Sequence, residues 1–143
     1  MVGPSTAVGQ ESSSGERSPE TPPVPRAMEA YRLPPSATIQ VDGRLEEDVW
    51  QDAPSFANWV QKEPVEGAPA INDSRVWFIY DDEALYIGAI NYDEDPAGIA
   101  TNMARRDAPY AGRSDYFEVM VDPNRDGLTG YRFRVTAGGV QTD

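Results

Sequence analysis

Apolar and aromatic residues are concentrated in two pairs of short runs in the second half of the chain. The first pair, residues 75–80 (RVWFIY) and 85–92 (LYIGAINY), is rich in aromatic and β-branched residues. A gap of four residues predicts a β-hairpin, with apolar residues on both faces as in the centre of a β-sandwich. The expected pairs on one face are Tyr80 with Leu85, Phe78 with Ile87, and Val76 with Ala89.

The second pair of runs, residues 115–122 (DYFEVMVD) and 131–136 (YRFRVT), predicts a hairpin with two different faces. The intervening PNRDGLTG is rich in turn residues. The apolar face is expected to belong to the core, and its expected pairs are Val121 with Tyr131, Val119 with Phe133, and Phe117 with Val135. The expected pairs on the polar face are Tyr116 with Thr136, Glu118 with Arg134, and Met120 with Arg132. A carboxylate directly opposite a guanidinium is favourable in a sheet.

The remaining sequence predicts only short elements. Residues 45–50 (LEEDVW) have apolar residues at i, i+4 and i+5, which predicts a helical turn. Residues 56–61 (FANWVQ) predict a short strand. Residues 93–114 are too polar for a strand, and we expect one helical turn near residues 99–104. The tryptophans expected in the core are Trp50, Trp59 and Trp77.

Composition separates a leader from a folded part. Residues 1–35 hold 7 of the 13 prolines and few apolar side chains, so we expect a disordered Pro/Ser-rich leader. Residues 36–143 hold 13 of the 14 aromatic residues and are expected to form one all-β domain. No signal peptide is visible, and no run approaches the ~20 apolar residues of a membrane helix. We therefore expect no direct membrane insertion by this segment.

Charge and missing residue types exclude several functions. The chain has 12 basic and 24 acidic residues, a net charge of −12, which argues against nucleic-acid binding. It has no Cys and no His, which excludes disulfide scaffolds, thiolate metal sites and Ser-His-Asp triads. Paired carboxylates would suggest glycoside hydrolysis, but they carry no specificity in so acidic a chain.

Seven short motifs occur in an order that matches a known family. They are IQVDGRLEEDVW at 39–50, VQKEP at 60–64, YDDEALYIG at 80–88, RRD at 105–107, DYFEVMVD at 115–122, GYRFRV at 130–135 and GVQTD at 139–143. Over about residues 37–143 the chain thereby resembles the carbohydrate-binding module family 9-like domain. More narrowly, it resembles the version at the N-terminus of large bacterial outer-membrane-associated proteins of unknown function, where a long β-rich, barrel-like region follows.

The resemblance implies an antiparallel, DOMON-like β-sandwich that binds a glycan end without catalysis. It implies a periplasmic, outer-membrane or cell-surface location. It also implies further strands after Asp143, so we expect the sandwich to be incomplete and the chain to be a fragment. Glu118 matches a ligand-contacting carboxylate of the family, and Arg134 matches a ligand-contacting arginine. These are the two residues that the hairpin register places opposite each other.

The aromatic part of the family's sugar site is matched less well. Sugar-binding members have a tryptophan three residues before the position of Asp115, where this chain has Gly112. Tyr110 and Tyr116 are the candidates here for stacking on a sugar ring. Each tyrosine could instead serve packing, and the carboxylate–guanidinium pair could be a structural ion pair.

The loop of the second hairpin contains a candidate calcium site. Asp122, Asn124 and Asp126, followed by Gly127, match the first half of an EF-hand loop. An EF-hand needs a glutamate six residues after the glycine, where Phe133 lies, so a true EF-hand is excluded. The resembled family often carries structural calcium, which is the one cofactor that the sequence suggests. The alternative is a turn that uses Asn, Asp and Gly for their backbone tolerance.

Two functions follow from these observations. The first is a module that binds an oligo- or polysaccharide weakly; its candidate contacts are Glu118, Arg134, Tyr110 and Tyr116. The second is a structural or interaction domain that packs against a C-terminal outer-membrane barrel of the parent envelope protein. In that case the polar face of the second hairpin is covered by the rest of the protein and binds no small molecule.

Overall fold

The computed structural model describes residues 27–107 and 113–143, and in these residues the chain is all-β, as predicted. Its strands form one four-stranded and one three-stranded sheet. No helix of the described residues is long and apolar enough to cross a membrane. The elements are β1 (Tyr31–Arg32), α1 (Val49–Asp52), β2 (Ser55–Phe56), β3 (Ser74–Tyr80), β4 (Leu85–Asn91), a 3₁₀ helix (Pro96–Gly98), β5 (Tyr116–Val121), β6 (Tyr131–Thr136) and β7 (Gln141–Thr142).

The first sheet is built around β3. β4 pairs with β3 antiparallel, with Tyr80 opposite Leu85 and Val76 opposite Ala89. This is the predicted register, so the first hairpin is confirmed. β1 is parallel to the end of β3, where Tyr31 lies opposite Ile79, and β2 is antiparallel to its middle. Because β4 occupies one edge of β3 along its whole length, β1 and β2 share the other edge.

One face of the first sheet is covered by α1, and the main hydrophobic core lies there. Trp77 and Ile79 of β3 are buried with Val49 and Trp50 of α1. A Cβ atom at Gly88 of β4 would approach Trp50 Cζ3 to 2.8 Å, so glycine leaves the space that the indole occupies. Full burial of a side chain such as Ile79 stabilises a fold by about 1.5–3 kcal/mol. Trp50 and Trp77 are confirmed as core residues.

Helix α1 begins later than the sequence predicts. The pattern places a helical turn at residues 45–50, whereas the helix is Val49–Asp52. Glu47 explains the shift, because its carboxylate accepts hydrogen bonds from the backbone N–H of Gln40 and from Trp50 Nε1. These bonds, chiefly the one from Gln40, lower the pKa of Glu47. The glutamate therefore ties the preceding loop to the core tryptophan instead of opening the helix.

A short strand lies within the segment that the sequence predicts to be a leader. β1 lies inside the segment 1–35 that was expected to be a disordered leader, and this expectation does not hold for residues 31–33. Tyr31 and Leu33 pack against the core, and the Leu33 N–H donates to the Tyr80 carbonyl. The two apolar side chains and the open edge of β3 thus order a segment whose composition is otherwise that of a linker.

Two short elements also differ from expectation. Of the strand predicted at residues 56–61, only the first residue belongs to β2, because the chain leaves the extended conformation at Asn58, where φ is 61°. The helical turn predicted near residues 99–104 is absent. A 3₁₀ helix forms just before it at Pro96–Gly98, since the fixed φ of proline suits the start of a helix.

The second sheet has the order β5–β6–β7 and is antiparallel throughout. Glu118 lies opposite Arg134, and the whole register of β5 and β6 is the predicted one, so the second hairpin is confirmed. The turn from β6 to β7 is tight, because the Thr136 hydroxyl accepts a hydrogen bond from the Val140 N–H and both residues are buried. β7 therefore lies along the edge of β6 opposite to β5.

The apolar faces of the two sheets line open clefts. One cleft, of about 620 Å³, is lined by Phe78 and Phe117 among others, and another, of about 590 Å³, by Ile87 and Val119. The apolar face of the second hairpin was expected to be core, yet Phe133 at its centre is 50% exposed. The prediction that this face is buried core is therefore wrong, because no segment of residues 27–107 and 113–143 fills the clefts.

Candidate functional site

The polar face of the second sheet holds the residues that the sequence singles out. Alternate side chains of a strand point to the same face, so Tyr116 and Glu118 of β5 share a face with Arg134 of β6. Arg134 Nε and Nη2 each lie 2.6 Å from Glu118 Oε2. The two side chains are only 20% and 21% exposed. The structure thus brings together the predicted pair as a short, partly enclosed, charge-assisted hydrogen bond.

Tyr116 belongs to this cluster, and one face of its ring is covered. The Arg134 guanidinium carbon lies 3.9 Å from the centre of the Tyr116 ring, which is a close cation–π contact. One face of the ring is therefore occupied by the arginine. The residue is 51% exposed, so the remainder of the ring and its edge are open to a ligand.

Arg132 belongs to the same face, although the sequence analysis did not name it as a site residue. Its Nε lies 3.8 Å from Glu118 Oε2, and its side chain is 57% exposed. Met120, its partner across the strands, is also exposed. The signal was present in the alternation of the run YRFRV, which puts both arginines on one face.

Several polar atoms of the cluster have no partner within the described part of the chain. No hydrogen bond there uses Glu118 Oε1, Arg134 Nη1 or the Tyr116 hydroxyl. Thr142, which lies opposite Arg134 on β7, has a buried Oγ1 that also lacks a partner among the described residues. The open atoms form a set of one acceptor, one guanidinium donor group and one hydroxyl, held in place by the ion pair.

Tyr110, the other candidate for stacking on a sugar ring, falls outside the described residues, as does Gly112. Trp59, which was expected in the core, is partly buried and packs edge-on against Phe56 at 4.7 Å, and its Nε1 donates to the Ser74 carbonyl. Trp59 therefore serves the first sheet, at the rim of the larger cleft.

The candidate calcium residues are arranged as a turn. Asp122 accepts hydrogen bonds from the N–H groups of Asn124 and Gly127, and Asp126 accepts those of Leu128 and Thr129. Such bonds, first from Gly127 and from Leu128 respectively, lower the pKa of both aspartates.

Both carboxylate oxygens of Asp122 and Oδ1 of Asp126 thus accept hydrogen bonds from backbone N–H groups, and Asp126 Oδ2 accepts one from the Thr129 hydroxyl. Within the described ranges, no three His, Cys, Asp or Glu side chains are grouped as a metal site. The arrangement accounts for Asp122, Asn124 and Asp126 as turn-forming residues, and calcium remains a prediction.

Comparison with known proteins adds no relative to this picture. The chain matches no protein-family model, no curated protein and no solved structure. The resemblance to the family 9-like modules therefore depends on the sequence motifs alone. The function has to be argued from the geometry of the polar face.

Proposed function

We propose that the chain is a mainly antiparallel β-sandwich domain of the family 9-like type that binds the end of a glycan on the polar face of the second sheet. The observation that carries the proposal is the enclosed pair of Glu118 and Arg134, stacked against Tyr116. The domain binds and does not catalyse. The sequence motifs support a bacterial envelope protein, in the periplasm or at the outer membrane, as the setting.

The chemistry of the cluster suits the hydroxyl groups of a sugar. Those hydroxyls both donate and accept hydrogen bonds, and Glu118 Oε1, Arg134 Nη1 and the Tyr116 hydroxyl have no hydrogen-bond partner among the described residues. Because the ion pair already holds these groups in one geometry, a ligand does not have to order them. Tyr116 offers only part of its ring for stacking, so we expect weak binding, with a Kd on the order of 1 mM or about 4 kcal/mol.

Isothermal titration calorimetry with a panel of neutral and acidic oligosaccharides tests this proposal. Arg134→Met keeps the apolar stem but removes the donors, and we expect at least a tenfold loss of affinity. Arg32→Met is the matched control, because Arg32 also forms a close ion pair, with Asp82 at 2.7 Å, but on the first sheet. Circular dichroism checks that both variants fold.

The result that contradicts the proposal is equally clear. If no oligosaccharide binds to the chain, the domain is not a glycan-binding module. If Arg134→Met binds a sugar as tightly as Arg32→Met does, the sugar site lies elsewhere and the ion pair of the second sheet is structural.

A second candidate function is supported by the apolar side of the second sheet. Tyr131, Phe133 and Val135 are 63%, 50% and 42% exposed, and they face an open cleft. Exposed apolar faces of this kind mark interaction surfaces. The candidate is a structural domain that packs through this apolar side, and not through the polar face that the sequence suggested, against the outer-membrane barrel that the sequence resemblance implies.

Site-specific cross-linking in the parent protein tests this candidate. A photoreactive side chain at position 133 is expected to cross-link to the barrel region, whereas the same side chain at Arg44, an exposed loop position, is not. An absence of cross-links from position 133 contradicts the candidate.

A further inference from the structure

The charges of the polar face do not balance. Glu118 is the one carboxylate that forms ion pairs with Arg132 and Arg134 in the described part of the chain. Two nitrogens of Arg134, Nε and Nη2, lie 2.6 Å from Glu118 Oε2. Arg132 Nε lies farther from the same oxygen, at 3.8 Å. Two guanidinium groups therefore share one carboxylate, which leaves one positive charge in excess.

The acidic residues of the neighbouring turn do not supply the missing partner. Asp122 and Asp126 form no ion pair with a described residue and instead accept hydrogen bonds from backbone N–H groups. Arg132 is 57% exposed, whereas Arg134 is 20% exposed. More than half of the Arg132 side chain is thus exposed, immediately beside the enclosed cluster.

The net charge of the whole chain does not cancel this local excess. The chain carries −12 in total, but at physiological ionic strength charges are screened beyond about 8 Å. The contacts of a ligand on this face are therefore governed by the nearby Arg132, Arg134 and Glu118. An exposed arginine fork binds a carboxylate or a sulfate through two parallel hydrogen bonds, which no neutral hydroxyl reproduces.

We propose that the glycan bound on this face is acidic, and that Arg132 binds its anionic group beside the sugar that contacts Glu118 and Arg134. This inference rests on the proposed glycan-binding function and deepens it by naming the ligand class. The shared chemistry is an anionic sugar, either a uronic acid with a carboxylate at C6 or a sugar with a sulfate ester.

Matched sugars separate this inference from the proposed function. Calorimetry compares gluco-, galacto- and manno-oligosaccharides with the corresponding uronates and with their 6-sulfated forms. We expect at least one acidic member to bind about tenfold more tightly than its neutral counterpart, and a preference for carboxylate or for sulfate identifies the source of the charge. Raising the salt concentration from 50 to 500 mM should reduce the preference.

Variants at Arg132 identify the residue responsible. In Arg132→Gln we expect the acidic sugar to lose its roughly tenfold advantage and to bind only as well as the neutral one does to the same variant. The control is Arg75→Gln, at an exposed position of β3 on the other sheet, which should keep the preference. Arg132 is exposed, so neither variant is expected to impair folding.

The outcomes of these experiments distinguish the inference about an acidic ligand from the proposed glycan-binding function. Equal binding of neutral and acidic sugars, or a preference that survives Arg132→Gln, overturns the inference about an acidic ligand and leaves the glycan site intact. If none of the neutral, uronate or sulfated sugars binds, the proposed function itself falls.

Discussion

A short arginine–carboxylate pair lies in the region of each sheet, and these two pairs have different surroundings. Arg32 and Asp82 of the first sheet region lie 2.7 Å apart with side chains 61% and 84% exposed. Arg134 and Glu118 of the second sheet lie 2.6 Å apart with side chains 20% and 21% exposed. The two contacts have nearly the same length, so it is the exposure of the side chains that distinguishes a solvated surface pair from a cluster with fixed geometry.

Each arginine also has a neighbouring tyrosine, and the arginine of the enclosed pair is again the one with the closer contact. Arg32 lies 5.9 Å from the Tyr80 ring centre, whereas Arg134 lies 3.9 Å from that of Tyr116. The apolar residues show the opposite order of exposure: Ile79 of the first sheet is fully buried, whereas Phe133 of the second is half exposed. The buried core of the first sheet thus contributes most of the stability, whereas the second sheet presents the organised polar surface.

Removal of apolar side chains tests this division with the largest expected effect. Ile79→Ala should reduce the free energy of unfolding by about 2–5 kcal/mol, because it leaves a cavity in the core. Phe133→Ala should cost roughly 1 kcal/mol, since only about half of its 1.5–3 kcal/mol of burial is realised. Urea denaturation measures both values, and equal losses would show that the second sheet shares the core.

Gly88→Ala tests the close packing of the first sheet. The new Cβ would lie 2.8 Å from Trp50 Cζ3, and such overpacking costs about 1–3 kcal/mol. The matched control is Gly98→Ala, whose Cβ would meet only the mobile end of the Asp95 side chain, with an expected change within about 0.5 kcal/mol. Equal melting temperatures of the two variants would contradict the packing described for α1.

Removal of one carboxylate from each sheet compares the two ion pairs directly. Glu118→Gln leaves Arg134 partly enclosed without its counter-charge, and we expect a loss of about 1–2 kcal/mol. Asp82→Asn should cost at most about 1 kcal/mol, because its pair is solvated. The midpoint of urea unfolding measures both, and a larger loss for Asp82→Asn would reverse the comparison.

Acidification should affect the hairpin loops of both sheets, with the smallest expected effect. Backbone N–H groups, first those of Glu83 and of Leu128, lower the pKa values of Asp81 and Asp126 below that of the unfolded chain, which is about 3.9. Their stabilisation is therefore complete above that value and is lost as the pH falls through the lower folded pKa. Stability measured from pH 6 to pH 2 should fall less steeply in Asp81→Asn and Asp126→Asn, and an unchanged slope would contradict these assignments.

The two hairpins could be predicted residue by residue, because a strand alternates its faces with a period of two. In the second hairpin this period leaves one register that separates apolar from polar residues, and the same register places Glu118 opposite Arg134. The sequence could therefore identify the pair that forms the centre of the candidate site.

The other features depend on tertiary contacts that no local pattern contains. β1 is ordered by the free edge of β3, and the start of α1 is set by the hydrogen bonds of Glu47 to Gln40 and Trp50. Arg132 was missed because its role depends on a distance and an exposure, and its residue type and strand position do not distinguish it from Arg134.

The most direct test of the glycan site is an NMR titration of the labelled chain with the tightest-binding sugar of the panel. We expect the backbone amide shifts that change to cluster at Tyr116, Glu118 and Arg134, with none at Arg32. The largest changes at Arg32 or in the cleft around Phe78, or no changes at all, would contradict a glycan site on the polar face of the second sheet.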